Sequence, residues 1–332
     1  MSITIQQVGA DYWGLAAFPL GVALDLILGD PRGWPHPVLA LEWLIRWSEQ
    51  ALRIVLRRLG GGPTAELVAG VILALFVVGC AVSIVWLLTD LAGLIGGPAT
   101  LVVRALLIYW GLAIRSLGDE ALRASEAPDL ATARRELSRI VGRDTAHLDD
   151  SEIARACIET VGENTNNAVV APLFWFAIGG PAGLWAYKAV NTLDGKVGHR
   201  SLRYRYLGRF SARIDDLANL IPARMTWLLI ALAATLVGER GLAALRIGWR
   251  DGRKHPGSNA AWGEAAIAGA LGVRLGGRAT YGGVPDHMPF LGDPIRPITR
   301  ETVIRAVFVM QIAALIAAGV SWSSHALFLG SY

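Results

Sequence analysis

Carboxylate and amide side chains crowd into one stretch of the chain, directly before an apolar segment. Residues 159–167 read Glu-Thr-Val-Gly-Glu-Asn-Thr-Asn-Asn. Glu159 and Glu163 are four residues apart, so on a helix they share one face. Carboxylate and amide oxygens suit Mg²⁺ that carries phosphates. A polar helix cap at an interface is the alternative, but the density of polar groups favours a functional site.

A lysine and a carboxylate follow the apolar segment. Lys188, Asn191 and Asp194 are spaced three residues apart, and on a helix they project to one side. This combination fits phosphate neutralisation together with metal binding or general-base catalysis. A structural salt bridge is the alternative.

Four arginines and two tyrosines precede a pair of adjacent aspartates. They are Arg203, Tyr204, Arg205, Tyr206, Arg209, Arg213, Asp215 and Asp216. The arginines could form a belt on lipid headgroups, or bind phosphates through bidentate guanidinium contacts. Adjacent residues on a helix point about 100° apart, so the aspartate pair alone is a weak metal signal.

Three polar residues stand at the end of the first apolar segment. A carboxylate such as Asp25 costs about 2.5–3.5 kcal/mol in the middle of a membrane span, which makes it a functional candidate. The alternative is an interfacial, solvated position. Asp30 begins a proline-rich stop, and His36 lies between two prolines in an extended loop, where it is a ligand candidate or simply exposed.

A glycine-rich region near the C-terminal end adds a further candidate group. Asn259, Trp262 and Glu264 fall at the start of a short predicted helix. Gly276-Gly277 is not a phosphate loop, because no Gly-Lys-Ser/Thr follows and no βα unit surrounds it. The sequence therefore predicts neither a Walker nor a Rossmann nucleotide site. It also lacks a Ser/His/Asp set, and its two cysteines form no metal-ligand pattern.

The composition places these residues in a membrane protein. Of the 332 residues, 53% are hydrophobic and 17% are charged, and the mean hydropathy is +0.44. This excess of apolar residues is too large for one soluble core. The net charge of +4 is better explained by basic loops that orient membrane spans than by nucleic-acid binding, so no nucleic-acid partner is expected.

Six apolar segments are candidate spans. They are Tyr12–Leu28, Leu67–Leu88, Ala99–Leu117, Ala168–Tyr187, Met225–Val237 and Val303–Val320. The first lacks a basic leader and is expected to be retained rather than cleaved. The fourth is broken by Gly179-Gly180-Pro181, and the fifth is shorter than the roughly 20 residues that a span needs.

The positive charges decide the predicted topology. Loops 29–66, 115–167, 188–224 and 238–305 hold 30 of the 31 lysines and arginines. If the two weak segments dip into the membrane without crossing, every basic loop falls on one side. The positive-inside rule then predicts four full crossings in the cell inner membrane, with the active-site loops in the cytoplasm.

The loops complete the predicted architecture. Residues 119–160 show helical spacing and are expected to form two or three amphipathic helices, one of which begins at Asp149–Glu152. Residues 250–300 are expected to form irregular loop around one short helix near Ala260–Leu271. The predicted fold class is all-α: one integral membrane domain, 1–332, with about four transmembrane helices, re-entrant or broken segments, and amphipathic cytoplasmic helices.

Four sequence blocks together resemble the adenosylcobinamide-phosphate synthase family of cobalamin biosynthesis. They are DLILGDPRGWPHPV, ETVGENTNNAVVAPLFWFAIGGPAGLWAYKAVNTLDGKVGHR, RYRYLGRFSARIDDLANLIPARMT, and SNAAWGEAAIAGALGVRLGG with LGDP. The resemblance covers most of the chain outside the second, third and last spans.

The resemblance implies an enzyme that couples ATP hydrolysis to amide formation. Adenosylcobyric acid would be joined through its free propionate to an aminopropanol phosphate, by way of an acyl-phosphate. The implied cofactors and substrates are Mg²⁺, ATP and the corrinoid, and the implied surroundings are a lipid bilayer. Other enzymes of the pathway and further copies of the chain are left open as partners, as is the oligomeric state.

The resemblance also suggests roles for the polar residues. Catalytic roles fall on Glu159, Glu163, Asn167, Lys188, Asp194 and Asp215. Substrate or phosphate binding falls on Asp25, Asp30, His36, Asn164, Asn191, Arg203, Tyr204, Arg205, Tyr206, Arg213, Asn259, Trp262 and Glu264. Metal binding falls on Glu163, Asp194 and Asp216, and Trp34 joins the aromatic residues expected to face the corrin.

One position departs from the family pattern. Asn167 stands where the family usually has aspartate. An amide cannot act as a base and binds Mg²⁺ more weakly than a carboxylate does. Either the site tolerates the amide, or the chain is an impaired variant.

Two other function classes compete with the enzyme. A transporter of an anionic or corrinoid substrate also uses broken membrane segments beside polar motifs, but no inverted repeat is visible. A scaffold for other corrinoid enzymes would tolerate alanine at Glu163 or Asp194. ATP-dependent amide formation would distinguish the enzyme from both.

Overall fold

The computed structural model describes residues 5–199, 201–254 and 259–330, and within these ranges the side chains from residue 13 to residue 327. The helices, in chain order, are α1 (Ile5–Leu28), α2 (Pro37–Arg58), α3 (Pro63–Ile95), α4 (Gly97–Tyr109), α5 (Ile114–Ser125), α6 (Leu130–Leu137), α7 (Asp150–Asn164), α8 (Ala171–Val197), α9 (Arg209–Ala218), α10 (Leu220–Leu236), α11 (Gly241–Asp251), α12 (Ala260–Leu271) and α13 (Arg300–Gly330). A π-helical turn, Thr165–Val170, joins α7 to α8. The all-α, multi-pass membrane architecture is confirmed.

An antiparallel hairpin interrupts the helical pattern. Strands β1 (Leu275–Tyr281) and β2 (Val284–Leu291) are joined at Gly282 and Gly283, whose φ angles are 57° and 80°. Positive φ at both central residues is what a type I′ turn requires. The predicted short helix in this region is confirmed as α12, but the prediction of irregular loop around it is wrong over the hairpin.

Helices long and apolar enough to cross a membrane number four in the described part of the chain. They comprise Pro63–Ile95, Gly97–Ser125, Asp150–Val197 and Arg300–Leu327. The number matches the predicted number of crossings, but the set differs, since it includes the broken fourth segment. The first predicted segment forms a shorter apolar helix, Trp13–Leu28. α3 exposes bulky residues such as Leu75 and Trp86, as a lipid-facing helix does.

Both weak segments are bent. Inside α8, Gly179 and Gly180 leave helical geometry just before Pro181, and Gly180 has a φ of 57°. Pro181 has no backbone N–H, so it cannot continue the hydrogen-bond ladder from the preceding turn. α9 and α10 meet at an angle of 43° and together are either a broken span or a re-entrant loop.

The chain divides into two compact units. Unit one contains Met1–Leu112, Pro172–Ala218 and Val320–Tyr332, and unit two contains Ala113–Ala171 and Asn219–Gly319. The expectation of a single integral membrane domain stays a prediction.

In unit one, α1 packs along α4. Gly21 makes the close approach possible, because a Cβ there would lie 2.7 Å from the carbonyl oxygen of Ala105. The Tyr109 hydroxyl donates to the carbonyl oxygen of Gly29 (2.5 Å), which fixes the end of α1 against α4. The loop that carries Asp30 and His36 starts at this point.

In unit two, α12 is the central helix. All its residues from Ala261 to Leu271 are buried, and it packs against α7, α10 and α11. A helix that is apolar on every side is expected inside a bundle, and its many alanines and glycines let neighbouring helices approach closely. A carboxylate on this helix, Glu264, therefore needs a specific reason to be there.

An ion-pair network ties the end of α11 to the segment after β2. The fully buried Asp251 accepts hydrogen bonds from Arg250 (2.7 Å), from the Gly292 N–H (2.8 Å), and pairs with Lys254 (2.5 Å). Burial opposes ionisation, but these partners outweigh it and lower the pKa of Asp251 to about 2.

The Asp251 network predicts an acid-sensitive fold. Because the folded pKa lies below the ordinary value of 3.8, the stabilisation is present above that pH and is lost as pH falls towards about 2. Such a shift corresponds to roughly 2 kcal/mol. We expect Asp251→Asn to lower the unfolding midpoint at pH 7 and to flatten its decline between pH 4 and pH 2. Asp286→Asn, at an exposed position, is the control and should change neither.

Candidate functional site

Three glutamates of unit two face one cavity. Glu159 and Glu163 come from α7 and Glu264 from α12, and the cavity has a volume of about 250 Å³. Arg143 lines the same cavity, as do Gly276 and Tyr281 from the hairpin. We call this the acidic cavity. It brings together two predicted catalytic residues, Glu159 and Glu163, and one predicted substrate-binding residue, Glu264.

α7 places its two glutamates as their spacing predicts. The helix begins with a capping box, in which the Asp149 side chain accepts from the Glu152 N–H (2.8 Å) and Glu152 accepts from the Asp149 N–H (3.0 Å). The predicted helix start is therefore confirmed. One turn separates Glu159 from Glu163, so both face the cavity.

A close helix crossing positions Glu264 beside them. Gly162 of α7 and Gly263 of α12 meet backbone to backbone, and a Cβ on Gly162 would lie 2.9 Å from the Glu264 Cα. Glu163 and Glu264 each follow the glycine of their own helix at this crossing. The pair of glycines therefore sets the separation of the two carboxylates.

The crossing predicts a large effect from one added methyl group. Gly162→Ala must push α12 away, since the obstructing atoms are backbone, and such overpacking costs about 1–3 kcal/mol. We expect a lower unfolding midpoint and a strong loss of whatever activity depends on the acidic cavity. Gly319→Ala is the matched control, because Gly319 is also in a helix of unit two and its Cβ would meet nothing within 4 Å. Equal unfolding midpoints of the two variants would contradict the close backbone contact at this crossing.

The charges in the acidic cavity are unevenly matched. Glu159 pairs with Arg143 and accepts a hydrogen bond from the Gly276 N–H (2.8 Å). Burial disfavours a charged Arg143, but Glu159 outweighs it and raises the pKa of the guanidinium. Within the described residues, Glu163 and Glu264 accept no hydrogen bond. Of the arginines near the acidic cavity in the described residues, Arg143 forms a close ion pair with Glu159, Arg155 lies 3.9 Å from Glu159, and Arg278 lines the cavity without an ion pair.

The pKa of Glu264 reflects these surroundings. Burial, and next the Glu163 and Glu159 carboxylates, raise its pKa well above the ordinary 4.5. Burial also raises the pKa of Tyr281 across the cavity. Such surroundings favour the protonated form of the Glu264 carboxyl, or binding of a cation that replaces the proton.

Amide side chains directly after Glu163 in the chain form a hydrogen-bonded group. Asn166 Nδ2 donates to Asn167 Oδ1 (2.9 Å) and to Asn219 Oδ1 (2.8 Å), and the Thr226 hydroxyl donates to Asn166 Oδ1 (3.2 Å). Asn164 donates to the Thr160 carbonyl oxygen (3.1 Å). Asn167 acts here as an acceptor, a role that an aspartate could also fill.

In unit one, the predicted substrate residues Asp25, Asp30 and His36 gather with the predicted catalytic Lys188. Asp25 is fully buried, and the His36 ring lies 3.4 Å from Asp30. Asp30 and Asp25 are the charges that act on Lys188. These four side chains come from two separate sequence blocks.

A second group in unit one contains the other predicted catalytic and metal residues. Asn191 donates to Asp215 (3.2 Å) across α8 and α9. Asp194 lies within electrostatic range of Asp216 and His199. The predicted metal residues Glu163, Asp194 and Asp216 thus divide between the two units. Among the described residues, no group of three or more His, Cys, Asp or Glu side chains is arranged to hold a metal ion.

Arg203 and Tyr204 surround a buried carboxylate that the sequence did not single out. Glu49 of α2 accepts from Arg203 (2.9 Å), Arg53 (2.7 Å) and Tyr204 (3.4 Å). Burial opposes the charge, but the two arginines outweigh it and lower the pKa of Glu49. Arg203 therefore has a structural partner. A phosphate ligand there would have to compete with Glu49.

Asn259 and Trp262 belong to a cationic and aromatic group in unit two. Arg224 donates to Asn259 (2.9 Å) and stacks 4.9 Å from the Trp262 ring centre. Trp262 is only 2% exposed and packs against Trp227 and Trp249. The expected contact between Trp262 and a corrin is therefore disfavoured, since neighbouring rings cover it.

Arg205, Tyr206 and Arg213 line a separate cavity of about 640 Å³ in unit one, together with Arg209 and Asp216. We call it the arginine cavity. Tyr204 lines it too.

Sequence reasoning missed three residues of these sites. Arg143 lies in the segment between α6 and α7, and nothing in its neighbours marks it. Tyr281 could have been found, because Tyr-Gly-Gly-Val is a hairpin signal that would have placed two strands here. Glu49 occupies an amphipathic helix in which a glutamate is normally exposed.

Comparison with known proteins shows which family the chain resembles. The family model described as CobD/Cbib protein matches residues 18–310. A cobalamin biosynthesis protein CobD of Pelobacter propionicus is 45% identical over 314 residues, which cover 94% of this chain and 95% of the relative. That of Geobacter metallireducens is 50% identical over 83% of this chain and 86% of its own length. The CbiB protein of Salmonella typhimurium is 42% identical over 91% and 95%.

No solved structure matches the chain significantly. The family match spans most of the chain, and relatives more than 40% identical align along nearly its whole length. The chain belongs to the CobD/CbiB family of cobalamin biosynthesis enzymes.

Proposed function

We propose that the chain joins adenosylcobyric acid to an aminopropanol phosphate in an ATP-dependent amide-forming reaction that yields adenosylcobinamide phosphate. The observation that carries the proposal is the acidic cavity, in which Glu163 and Glu264 face each other beside the Arg143–Glu159 pair. A ligase that uses an amine must take up the proton that the amine releases, and this cavity contains a carboxylate whose pKa is raised.

The proposed chemistry has two steps. An oxygen of the corrinoid propionate attacks the γ-phosphorus of ATP, and ADP leaves with the electron pair of the broken P–O bond. The amine nitrogen then attacks the acyl carbon of the acyl-phosphate. A C–N bond forms, phosphate departs with the C–O bonding electrons, and one proton passes from the nitrogen to a base.

Glu264 is the base that we favour. Its pKa is raised well above that of an ordinary glutamate, and a more basic carboxylate takes up a proton more readily. Glu163 keeps that pKa high through repulsion between the carboxylates. Arg143 and Glu159 hold the neighbouring wall in place through their ion pair.

The same cavity suits a divalent cation. Glu163 accepts no hydrogen bond within the described residues, so its carboxylate is available to a divalent cation, while Glu264 is left to take up the proton. Glu163, and Asp194 with Asp216 in unit one, are the residues that we propose for metal binding. Mg²⁺ would neutralise phosphate charge and favour departure of ADP.

Other predicted residues receive proposed binding roles. Lys188, Arg205 and Arg213 would neutralise phosphates. Trp34 is 66% exposed beside His36, and with Tyr204 and Tyr206 it offers aromatic surface for the corrin. We propose the inner membrane as the location, with the basic loops in the cytoplasm, where ATP is available.

A reconstituted assay tests the proposal. The purified full chain in detergent is mixed with adenosylcobyric acid, aminopropanol phosphate, ATP and Mg²⁺, and the product is measured by mass spectrometry. We expect one amide bond formed for each ATP consumed. Movement of corrinoid across proteoliposomes without ATP turnover would instead identify a transporter. Full function of Glu163→Ala and Asp194→Ala would identify a scaffold.

An isotope experiment tests the acyl-phosphate. Adenosylcobyric acid labelled with ¹⁸O in its free propionate should transfer one labelled oxygen to the released phosphate. Label that remains in the amide carbonyl alone, with unlabelled phosphate, would exclude this route.

Position 167 can be tested separately. Asn167→Asp keeps the acceptor that Asn166 uses and adds a carboxylate. If the amide impairs the site, turnover should rise by about tenfold or more, within the range of an added acid–base group. Gln50→Glu, at an exposed position on α2, is the control for a general gain of negative charge. Unchanged turnover would remove residue 167 from the mechanism.

A further inference from the structure

The arginine cavity contains three arginines that form no ion pair with a carboxylate among the described residues. Arg205, Arg209 and Arg213 line it, all are exposed, and none forms an ion pair among the described residues. Nearby cations behave differently. Lys196 pairs with Glu42 (3.0 Å) and Arg203 pairs with Glu49 (2.9 Å). These two neighbouring cations are compensated, whereas within the described residues the three arginines of the cavity are not.

The local fold forces these charges together. Arg209 and Arg213 are one turn apart on α9, and like charges at that spacing repel each other. Arg205 is held nearby by the tight turn that leads into α9, in which the Gly208 N–H donates to the Tyr204 carbonyl oxygen (2.8 Å). An anionic ligand would remove the repulsion, and guanidinium groups match phosphate in geometry.

The size and lining indicate more than one phosphate. The volume of about 640 Å³ falls within the range of roughly 300–1,000 Å³ typical of small-molecule sites. Tyr204 and Tyr206 also line the cavity, and the guanidinium groups of Arg203 and Arg205 lie over their rings (5.4 and 5.5 Å). Asp216 also lines the cavity and lies within electrostatic range of Asp194. A carboxylate pair at an anion site suits a ligand that arrives with a divalent cation.

We propose that the arginine cavity binds the polyphosphate of a nucleotide carried with a divalent cation, and that Arg209 is a binding residue there. The inference rests on the proposed function, because it gives the ATP of that reaction a location. It also explains how a chain without a Walker or Rossmann motif can bind a nucleotide.

A membrane phospholipid is the rival source of phosphate. Arg209 and Arg213 also border a smaller apolar cavity of about 300 Å³, lined by Leu67, Val68, Val71 and Phe210. An acyl chain could occupy that cavity and place its headgroup on the same two arginines. The experiment must therefore separate the nucleotide from the lipid.

The test is binding of a non-hydrolysable ATP analogue to the purified full chain, with and without Mg²⁺. We expect Arg209→Gln to weaken binding by about tenfold or more, and Arg209→Lys to weaken it less. Arg57→Gln is the matched control, since Arg57 is an exposed arginine of unit one outside the cavity. It should leave binding unchanged.

Three outcomes would overturn the inference. Binding of the analogue could be the same in Arg209→Gln and the wild type. Binding could be independent of Mg²⁺. In nanodiscs of phosphatidylglycerol, but not of phosphatidylcholine, the wild type and Arg209→Gln could bind the analogue equally, because the lipid headgroup occupies the arginines. Amide formation, measured separately, distinguishes failure of this site from failure of the proposed function.

Discussion

Glu264→Gln is expected to abolish amide formation while leaving the protein folded. Glutamine has the shape of protonated glutamic acid, so it fits the buried position on α12. It cannot accept a proton from the amine, and the loss of a general base typically lowers turnover by about 10²–10⁴-fold. Single-turnover product formation, measured by mass spectrometry, would check the size of the loss.

The stability of the same variant separates chemistry from structure. The folded pKa of Glu264 lies above its ordinary 4.5, mainly because of burial and next because of Glu163. A group with a raised pKa is fully stabilising below its unfolded pKa, and that contribution is lost as pH rises through the folded value. We therefore expect wild-type stability to fall as pH rises from about 4.5, and Glu264→Gln to fall less. At neutral pH the inactive variant should melt no lower than the wild type.

The control for Glu264→Gln is Glu152→Gln. It makes the same chemical change on α7, and glutamine preserves the capping box. It should retain full turnover and the wild-type melting profile. If Glu264→Gln also retained turnover, Glu264 would not be the base, and Glu163→Gln would be the next variant to measure.

The acidic cavity shows how far spacing alone can predict a site. Glu159 and Glu163 sit on one face of α7 because a helix repeats every 3.6 residues, and a capping motif marked where that helix begins. Local rules of this kind need only neighbouring residues. They also predicted α12 and the break at Gly179-Gly180.

Contacts between residues distant in the sequence could be identified only from the structure. Arg143 reaches Glu159 from a segment without helix or strand, and its own neighbours in sequence say nothing about a distant carboxylate. Glu264 appeared as one polar residue in an alanine-rich stretch. Its importance depends on Gly162 and Gly263 bringing two helices into contact. Such information lies in pairs of distant residues, which a single sequence does not connect.

The number of membrane-spanning helices could be predicted better than which segments form them. Charge counting gave four crossings, and four helices are long and apolar enough. The counted set differs because the segment broken at Gly179-Gly180 continues from α7 through the π-helical turn. Glycine and proline disturb a span without ending it when neighbouring elements satisfy the backbone. The sequence pattern could not distinguish a bent span from a stopped one.

Arg143→Met is the second variant for which we expect a large effect, and the first property that it should change is the stability of the fold. Only 13% of the Arg143 side chain and 9% of the Glu159 side chain are exposed, so their ion pair is largely buried. Removal of one partner leaves the other charge buried, which typically costs about 3–5 kcal/mol. After the change, Glu159 keeps the Gly276 N–H (2.8 Å) and a distant Arg155 Nε (3.9 Å). We expect a clearly lower unfolding midpoint in detergent.

The double variant tests whether the cost comes from the unpaired charge. Arg143→Met combined with Glu159→Met removes both charges, and a buried pair replaced by apolar groups is often neutral in stability. The double variant should therefore melt higher than Arg143→Met alone. Arg300→Met is the control, because the Arg300–Glu126 pair (3.0 Å) is far more exposed and is worth at most about 1 kcal/mol. Equal melting of Arg143→Met and Arg300→Met would contradict a buried pair.

Loss of Arg143 should also move the pH profile of the reaction. Arg143 is the charge that lowers the pKa of Glu264, against burial and the other two glutamates. Without it, Glu264 becomes harder to deprotonate, so Arg143→Met should need a higher pH to reach its maximal rate. Glu159 would add to this shift, because its charge would no longer be neutralised. In the double variant Glu159 is gone too, and the profile should return towards that of the wild type. An unchanged pH profile in Arg143→Met would mean that Glu264 does not accept the proton in the rate-limiting step.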